Sequence, residues 1–343
     1  MKDIAVIVPV YNGDSMIDEC IESVCSAGDR VTEIIIVDDG STDGTLEMAE
    51  SLAKSDNRIK VIHTDNHGCY AARRTGILSS TSPYIAFCDV DDLFISGSLD
   101  MLVELLEKNQ AEVAMGGYKE ITSYDETIEA SHSPTIRLTD SEQMWRRIMK
   151  WKTQEFVNYV WNKLYKRELL EGLIEADGIN QGEDVLITCQ AFLGVKTIVE
   201  TTAPIYLYYQ NPESLTRMGF GYDDINLIRV WDKIVEIMEE KQPDLLSMAQ
   251  FNRWRTDFTL ITRLILVNNE ELDRKYAGEL KKWRAGLKAH WKDLVSPHAM
   301  PKNREMLVVG LRFFFSLTKT MMRMGRKMSK KATGELLHSG EKR

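Results

Sequence analysis

The sequence predicts an α/β protein, a mostly parallel sheet flanked by helices, with a helical extension at the C-terminal end. Three observations lead there. Short β-branched runs alternate with segments of helical spacing from residue 3 to about 118, which is the pattern of strands joined by crossover helices. Several of those runs end in polar residues, as strands do where an open α/β sheet binds its ligands. Beyond Tyr222 only helical spacing remains.

In order, Ile4 to Val10, Glu33 to Asp38, Arg58 to His63, Tyr84 to Asp89 and Glu112 to Tyr118 read as strands. Between them Ile17, Cys20, Ile21 and Val24 recur at helical spacing, as do Leu46, Ala49 and Leu52, and then Leu99, Leu102, Val103 and Leu106. Residues 119–140 are polar and irregular and read as a mobile loop over the crevice at the strand ends. Trp145 to Lys152 looks helical, and Val160 to Lys166 mixes apolar and basic residues. Glu183 to Leu193 reads as a helix opened by two acids, favourable at its positive end, and Ile205 to Gln210 is strand-like again. Leu227, Trp231, Ile234, Val235 and Met238 mark one later helix, and Trp254, Phe258, Ile261 and Ile265 another. The expected division is 1–217 as the sheet domain, 218–303 as a helical region and 304–343 as a basic tail.

A chain of 343 residues with 43% hydrophobic content can bury a full core. Its five cysteines show no C-x-x-C spacing, which fits reduced thiols in a cytoplasmic protein. The opening apolar run is interrupted at Pro9, too early for a secretory or spanning segment. The net charge of −9 hides an asymmetry, because residues 304–331 carry +7 and the remainder −16.

The segment Tyr84-Ile85-Ala86-Phe87-Cys88-Asp89-Val90-Asp91-Asp92 runs an apolar strand straight into three carboxylates. Unpaired buried carboxylates are costly, so a cation is expected beside them. If the strand continues, Asp89 and Asp91 share a face, and two hard oxygen donors suit Mg2+ or Mn2+. A simple turn before the next helix is the alternative.

Four segments, in order, resemble family 2 glycosyltransferases of the A-type nucleotide-sugar fold, which is Rossmann-like. They are Ile7-Val8-Pro9-Val10-Tyr11-Asn12, Ile34 through Gly44 with Val37-Asp38-Asp39-Gly40-Ser41, Ala72-Arg73 followed by Gly76-Ile77, and the Asp89 segment. Agreement continues at Val160-Trp161-Asn162-Lys163-Leu164-Tyr165, Gly182-Glu183-Asp184, and Tyr208-Tyr209-Gln210 with Ser214-Leu215-Thr216. These segments are similar to the bacterial capsule and exopolysaccharide branch. The resemblance implies that Pro9, Tyr11 and Asp39 line the base pocket of a nucleotide diphosphate sugar, with Asn12 in the same substrate-binding loop. Tyr11 can stack on a base and Asp39 can accept an imide hydrogen; a buried structural Tyr11 and a turn-forming Asp39 are the alternatives.

Arg73 would meet base or phosphate, although its neighbour Arg74 stands where the family usually has Asn, which leaves open which arginine faces inward. Asp89 would approach the ribose or the metal, and Asp91 would bind the divalent cation that bridges the diphosphate. Asp184 corresponds to the family's catalytic base, and Glu183 would hold acceptor or backbone. A helix-start role for both acids is the alternative. Trp161 and Lys163 would form part of the acceptor floor, unless they are core. His63 and His67 are expected in solvent.

If residues 307–330 form one helix, Arg312, Lys319, Arg323, Arg326 and Lys330 make a basic stripe opposite Leu307, Phe314, Met321 and Met328. Such a helix lies in a membrane interface, giving a peripheral contact through 304–331 at the inner face of the cell membrane; packing on its own domain or on a second copy is the alternative. The acidic body argues against a nucleic-acid partner.

The leading expectation is a metal-dependent, inverting glycosyltransferase. It would move a sugar from a nucleotide diphosphate donor, UDP-linked, to a saccharide or lipid-linked acceptor in surface polysaccharide synthesis. A nucleotidyltransferase would need a Gly-rich basic loop where Pro9-Val10-Tyr11-Asn12-Gly13 stands, and a dinucleotide oxidoreductase would need G-x-G-x-x-G there. A non-catalytic nucleotide-sugar-binding partner of a glycosyltransferase complex is the remaining alternative.

Overall fold

The computed structural model describes residues 3–126, 133–153, 155, 157–210 and 220–325. The chain forms two compact units, Met1–Ile148 with Phe156–Arg217, and Met149–Glu155 with Met218–Arg343.

The first unit runs β1 (Ile4–Val10), α1 (Ile17–Ser26), β2 (Val31–Asp38), α2 (Thr45–Ser55), β3 (Ile59–His63), α3 (Cys69–Ser79), β4 (Tyr84–Phe87), β5 (Leu93–Phe94) and α4 (Ser98–Lys108). It continues with β6 (Val113–Ile121), β7 (Ile136–Asp140), α5 (Ser141–Ile148), β8 (Lys163–Lys166), α6 (Glu183–Ala191) and β9 (Thr197–Tyr209). The strands make one mixed sheet in the order β3-β2-β1-β4-β8-β6-β9-β5, with β7 also on β9. β3, β2, β1 and β4 are mutually parallel, while β8 runs antiparallel between β4 and β6. β1 is buried along its whole length because helices cover both faces, which is why its sequence is continuously apolar rather than alternating. α3 lies so close to β1 that a Cβ on Gly76 would sit 2.4 Å from Ile7 Cγ2; only glycine fits.

Three expectations change here. The strand ending in the Asp89 segment stops at Phe87, and Asp92 N–H donates to Asp89 C=O, so residues 89–92 form a turn and strand alternation does not apply to Asp89 and Asp91. Residues 119–140 are not wholly irregular: β6 extends to Ile121, and β7 pairs with β9 from Ile136↔Thr201 to Asp140↔Thr197. Arg137 and Arg147 hold Glu200 of β9 by ion pairs there, long-range partners that local pattern does not reveal. The helix read over Trp145 to Lys152 is instead Ser141–Ile148.

The second unit contains α7 (Tyr222–Lys241), α8 (Leu246–Val267), α9 (Glu270–Lys275), α10 (Ala277–Val295) and α11 (Lys302–Phe313), followed by a helix over 315–325. Its core joins Phe251, Phe258 and Ile261 of α8 to Trp283 and Leu287 of α10 and Val308 and Leu311 of α11. The single helix expected over 307–330 is broken at Phe314, whose φ of −130° and ψ of 45° leave the helical region. The break changes the stripes: Leu307 packs on the core, and Lys319 and Arg323 both pair with Asp273 of α9. Arg326, Met328 and Lys330 lie outside the described residues, as do Ser214, Leu215 and Thr216. Among the described residues no helix is long and apolar enough to cross a membrane, and all five cysteines are free thiols.

Candidate active site

Tyr70, Arg73 and Ile77 fall on one side of α3, spaced by three and four, and all three are buried; Arg73 is only 2% exposed. A buried guanidinium needs partners, and it finds three carboxylates. Nη2 donates to Asp89 Oδ1 at 2.6 Å, Nη1 donates to Glu183 Oε1 at 3.1 Å, and Asp184 Oδ1 lies 3.3 Å from Nη1. Asp89 comes from the turn after β4, and the other two acids open α6. Gly182 immediately before them has φ +84°, a left-handed conformation that costs glycine little and turns the chain into the helix.

One cation among three acids leaves the corner short of positive charge. Burial, with Glu183 and Asp89 adding to it and Arg73 opposing, pushes the Asp184 carboxyl up to about 8, and Glu183 is also raised, chiefly by burial. Asp184 Oδ1 has no hydrogen-bond partner among the described residues. Lys163 is fully buried, its Nζ donating to Asn162 Oδ1 at 2.7 Å and to the Tyr159 carbonyl. Burial brings its pKa down to about 7, with the negative charge of Asp184 working the other way.

The same shortage marks the 89–92 turn. Asp92 is buried and accepts from Tyr209 N–H at 2.7 Å; burial, then Asp89 and Asp91, raise its pKa well above the usual carboxylate range. Its role is internal, tying the turn to β9. Asp91 and Asp89 are the partly exposed carboxylates of the turn. Hard oxygen donors on a turn with excess negative charge fit Mg2+ or Mn2+, which ordinarily take one or two carboxylates and complete the shell with phosphate oxygens and water. Among the described residues no three His, Cys, Asp or Glu side chains gather as a cage, so a cation would rely on such outside ligands.

At the other strand ends, Tyr11 is 52% exposed, open to stacking rather than a core ring. Pro9 is buried within β1, opposite Val37 of β2. Asn12, exposed and at φ +52°, accepts from Thr42 N–H at 2.8 Å and so joins the β1 and β2 loops. Asp39 accepts from the N–H groups of His67 and Gly68, both at 2.8 Å, and so fixes the loop leading to α3. Beside it, buried Asp38 meets His63 Nδ1 at 2.6 Å, while the His63 ring stays half exposed and His67 is exposed, as expected of solvated histidines.

Arg73, expected on base or phosphate, instead points inward onto carboxylates, while Arg74 reaches the Leu173 carbonyl and Glu175. Trp161 and Lys163, expected on an acceptor floor, are buried, so neither offers a face to an acceptor. Trp161 lies stacked between Tyr159 and Tyr206, each 4.5 Å away between ring centroids. Three tyrosines were not picked out from the sequence. Tyr206 OH accepts from Asp89 N–H at 2.9 Å, Tyr124 OH donates to the Asp91 carbonyl at 2.9 Å, and Tyr159 is close enough to Asp184 for its phenol to be raised in part by that charge, after burial and the neighbouring Tyr118 and Tyr208. The run Tyr206-Leu207-Tyr208 carried a signal, since strand alternation puts both rings on one face.

The chain resembles known proteins in sequence and in fold. It is 34% identical over 219 residues to EpsJ of Bacillus subtilis, described as an uncharacterized glycosyltransferase, covering 63% of this chain and 64% of that protein. The glycosyltransferase GlyA of Streptococcus pneumoniae is 29% identical, and the chain spans 32% of it. Against the glycosyltransferase GlyG of the same species it is 30% identical over 251 residues, covering 70% of this chain and 80% of GlyG. The crystal structure of S. aureus TarS residues 1–349 in complex with UDP-GlcNAc shares the fold, with a TM-score of 0.65 at 16% identity over 96% of this chain and 92% of that one. Residues 5–174, which hold the three strand-end loops, α3 and the Asp89 turn, match Glycosyl transferase family 2. With GlyG alike over most of both lengths, the chain belongs to that family of glycosyltransferases.

Proposed function

We propose that this glycosyltransferase moves a sugar from a nucleotide diphosphate donor, UDP-linked, to a saccharide or lipid-linked saccharide acceptor in surface polysaccharide synthesis, with inversion at the anomeric carbon. The observation that carries the reading is the meeting of Asp184 with Asp89 at one guanidinium, two acids 95 residues apart in the sequence. Tyr11 stacks on the base, and Asp39, whose oxygens each retain a lone pair beyond the bonds from residues 67 and 68, takes the imide hydrogen beside it. Mg2+ or Mn2+ would be held by Asp91 and Asp89 and, when bound, would neutralise charge on the diphosphate leaving group.

Asp184 takes the proton of the acceptor hydroxyl as the new bond forms. Its raised pKa makes it a stronger base than an exposed carboxylate, and Arg73 keeps it aimed. Glu183 shares the same guanidinium and fixes the start of α6. Attack from the Asp184 side, opposite the departing diphosphate, is a single in-line displacement and inverts the centre. A donor bound as UDP-GlcNAc in the similarly folded TarS supports a nucleotide-sugar donor here.

The test is nucleotide diphosphate release and sugar transfer with Mn2+ and a panel of nucleotide sugars. Asp91→Ala is expected to lose donor binding and turnover. Asp184→Asn is expected to bind donor normally while transfer falls about 10²- to 10⁴-fold; full transfer by that variant would remove Asp184 as the base, and donor binding without transfer by the unaltered chain would favour a non-catalytic partner.

A further inference from the structure

We propose that α11 and the helix over 315–325 dock on an anionic lipid surface through an apolar face that is independent of the reaction. These helices are already anchored: Val308 and Leu311 are buried in the second unit's core, and Leu307, Phe315 and Met322 pack against it. Their outward residues are apolar as well. Met306, Phe313, Phe314, Leu317, Met321 and Met324 are between 52% and 74% exposed, and they are six of the eleven exposed large apolar side chains among the described residues. Scattered exposed apolar residues are ordinary, but this concentration within nineteen residues marks an interaction face. An apolar groove of about 540 Å³, lined in part by Val295, Met306, Val309 and Phe314 with Lys302 at its rim, continues the face and admits an acyl chain.

Charge decides the occupant. Residues 302–325 contain five Lys or Arg and one acid, Glu305. Pairing this face with itself in a second copy would set cations against cations. An anionic bilayer offers the opposite charge together with an apolar interior, and phenylalanine, leucine and methionine side chains inserted at its boundary add to the electrostatic attraction. Lys319 and Arg323 spend their charge on Asp273, so attraction falls to the other cations of the segment, and the apolar side chains supply the depth.

The experiment is sedimentation of the full chain with phosphatidylglycerol vesicles and with phosphatidylcholine vesicles, at low and high salt. Binding to the anionic vesicles, weakened by salt and at least about tenfold stronger than to phosphatidylcholine, is expected. A variant carrying Phe314→Gln, Leu317→Gln, Met321→Gln and Met324→Gln should lose at least about tenfold of that binding while its thermal melt is unchanged, because all four positions are exposed. Lys302→Glu with Arg304→Glu should lose the preference for anionic vesicles. Equal binding by the four-site variant overturns the proposal. So does a chain that ignores vesicles and is dimeric by light scattering, with the variant monomeric.

Discussion

Arg73 in the first unit is one cation among three carboxylates, whereas Asp273 in the second is one carboxylate between two cations. The two clusters treat protons oppositely. Around Arg73, burial with surplus negative charge raises Glu183 and Asp184; at Asp273, burial also pushes upward, but Arg323 and Lys319 outweigh it and the carboxyl is lowered. A cluster with charge to spare is poised to receive a cation or give up a proton, and a neutralised one only holds helices together. The difference teaches that the ratio of charges, rather than the presence of an ion pair, separates a reactive corner from a brace.

Removing the buried cation is the harshest way to break the comparison. Arg73→Met leaves Asp89, Glu183 and Asp184 without their shared partner, and the expected cost is about 3 kcal/mol of stability, moderated by the water those partly exposed acids can reach. Transfer should be lost as well, because α6 and the 89–92 turn lose the group that aligns them. Denaturant unfolding and donor binding measured together check this; a variant of normal stability and activity would show that Arg73 neither braces nor aims the acids.

Proton affinity sharpens the contrast at smaller cost. Asp184 must be ionised to act as base, so transfer should rise with pH along a limb at or below about 8, since a bound cation would counter part of the negative charge that raises it. Glu183→Gln removes one source of that charge, and the limb should move to lower pH. An unmoved limb would mean that Glu183 does not act on the base. Stability of the metal-free chain follows the same groups. Asp184 titrates at the ordinary 3.8 unfolded and about 8 folded, so the stability its proton contributes is complete below pH 4 and lost as pH rises through about 8. Lys163 runs the other way, from 10.5 unfolded to about 7 folded, so its contribution is present above pH 10.5 and lost as pH falls through about 7. Together they place a stability minimum near neutral pH, readable from unfolding midpoints across that range.

Much of this site was legible before any coordinates. β1, β2 and β4 are apolar runs with polar ends, and a parallel sheet with helices on both faces makes such runs unmistakable. The acids 89, 91, 183 and 184 stood out because the segments that carry them resemble the family's motifs, since a turn or a helix start alone would also account for carboxylates there. The direction of Arg73 was also written in the spacing of Tyr70, Arg73 and Ile77, but an adjacent Arg74 masked it. What sequence could not supply was distance. Lys163 has the composition of a surface residue and is fully buried, its ammonium held by Asn162 and the Tyr159 carbonyl, and β7 exists only because β9 is there to pair with it. In the second unit the helical wheel failed at a single backbone break, Phe314, after which Lys319 and Arg323 face Asp273 of α9.

The mildest substitution tests the brace itself. Asp273→Ala frees Lys319 and Arg323 from the end of α9, and because the cluster is partly solvated the expected loss is about 1 kcal/mol. Arg323 retains its bond to the Ile265 carbonyl at 3.2 Å, which limits the effect further. Transfer to a soluble acceptor should be unchanged, since no reactive group depends on Asp273. Binding to anionic vesicles should strengthen slightly, because two cations no longer spend their charge within the protein. Weakened vesicle binding with the melt preserved would instead show that Asp273 positions the helix over 315–325 for contact, making its ion pairs part of the docking face rather than a competitor for its charge.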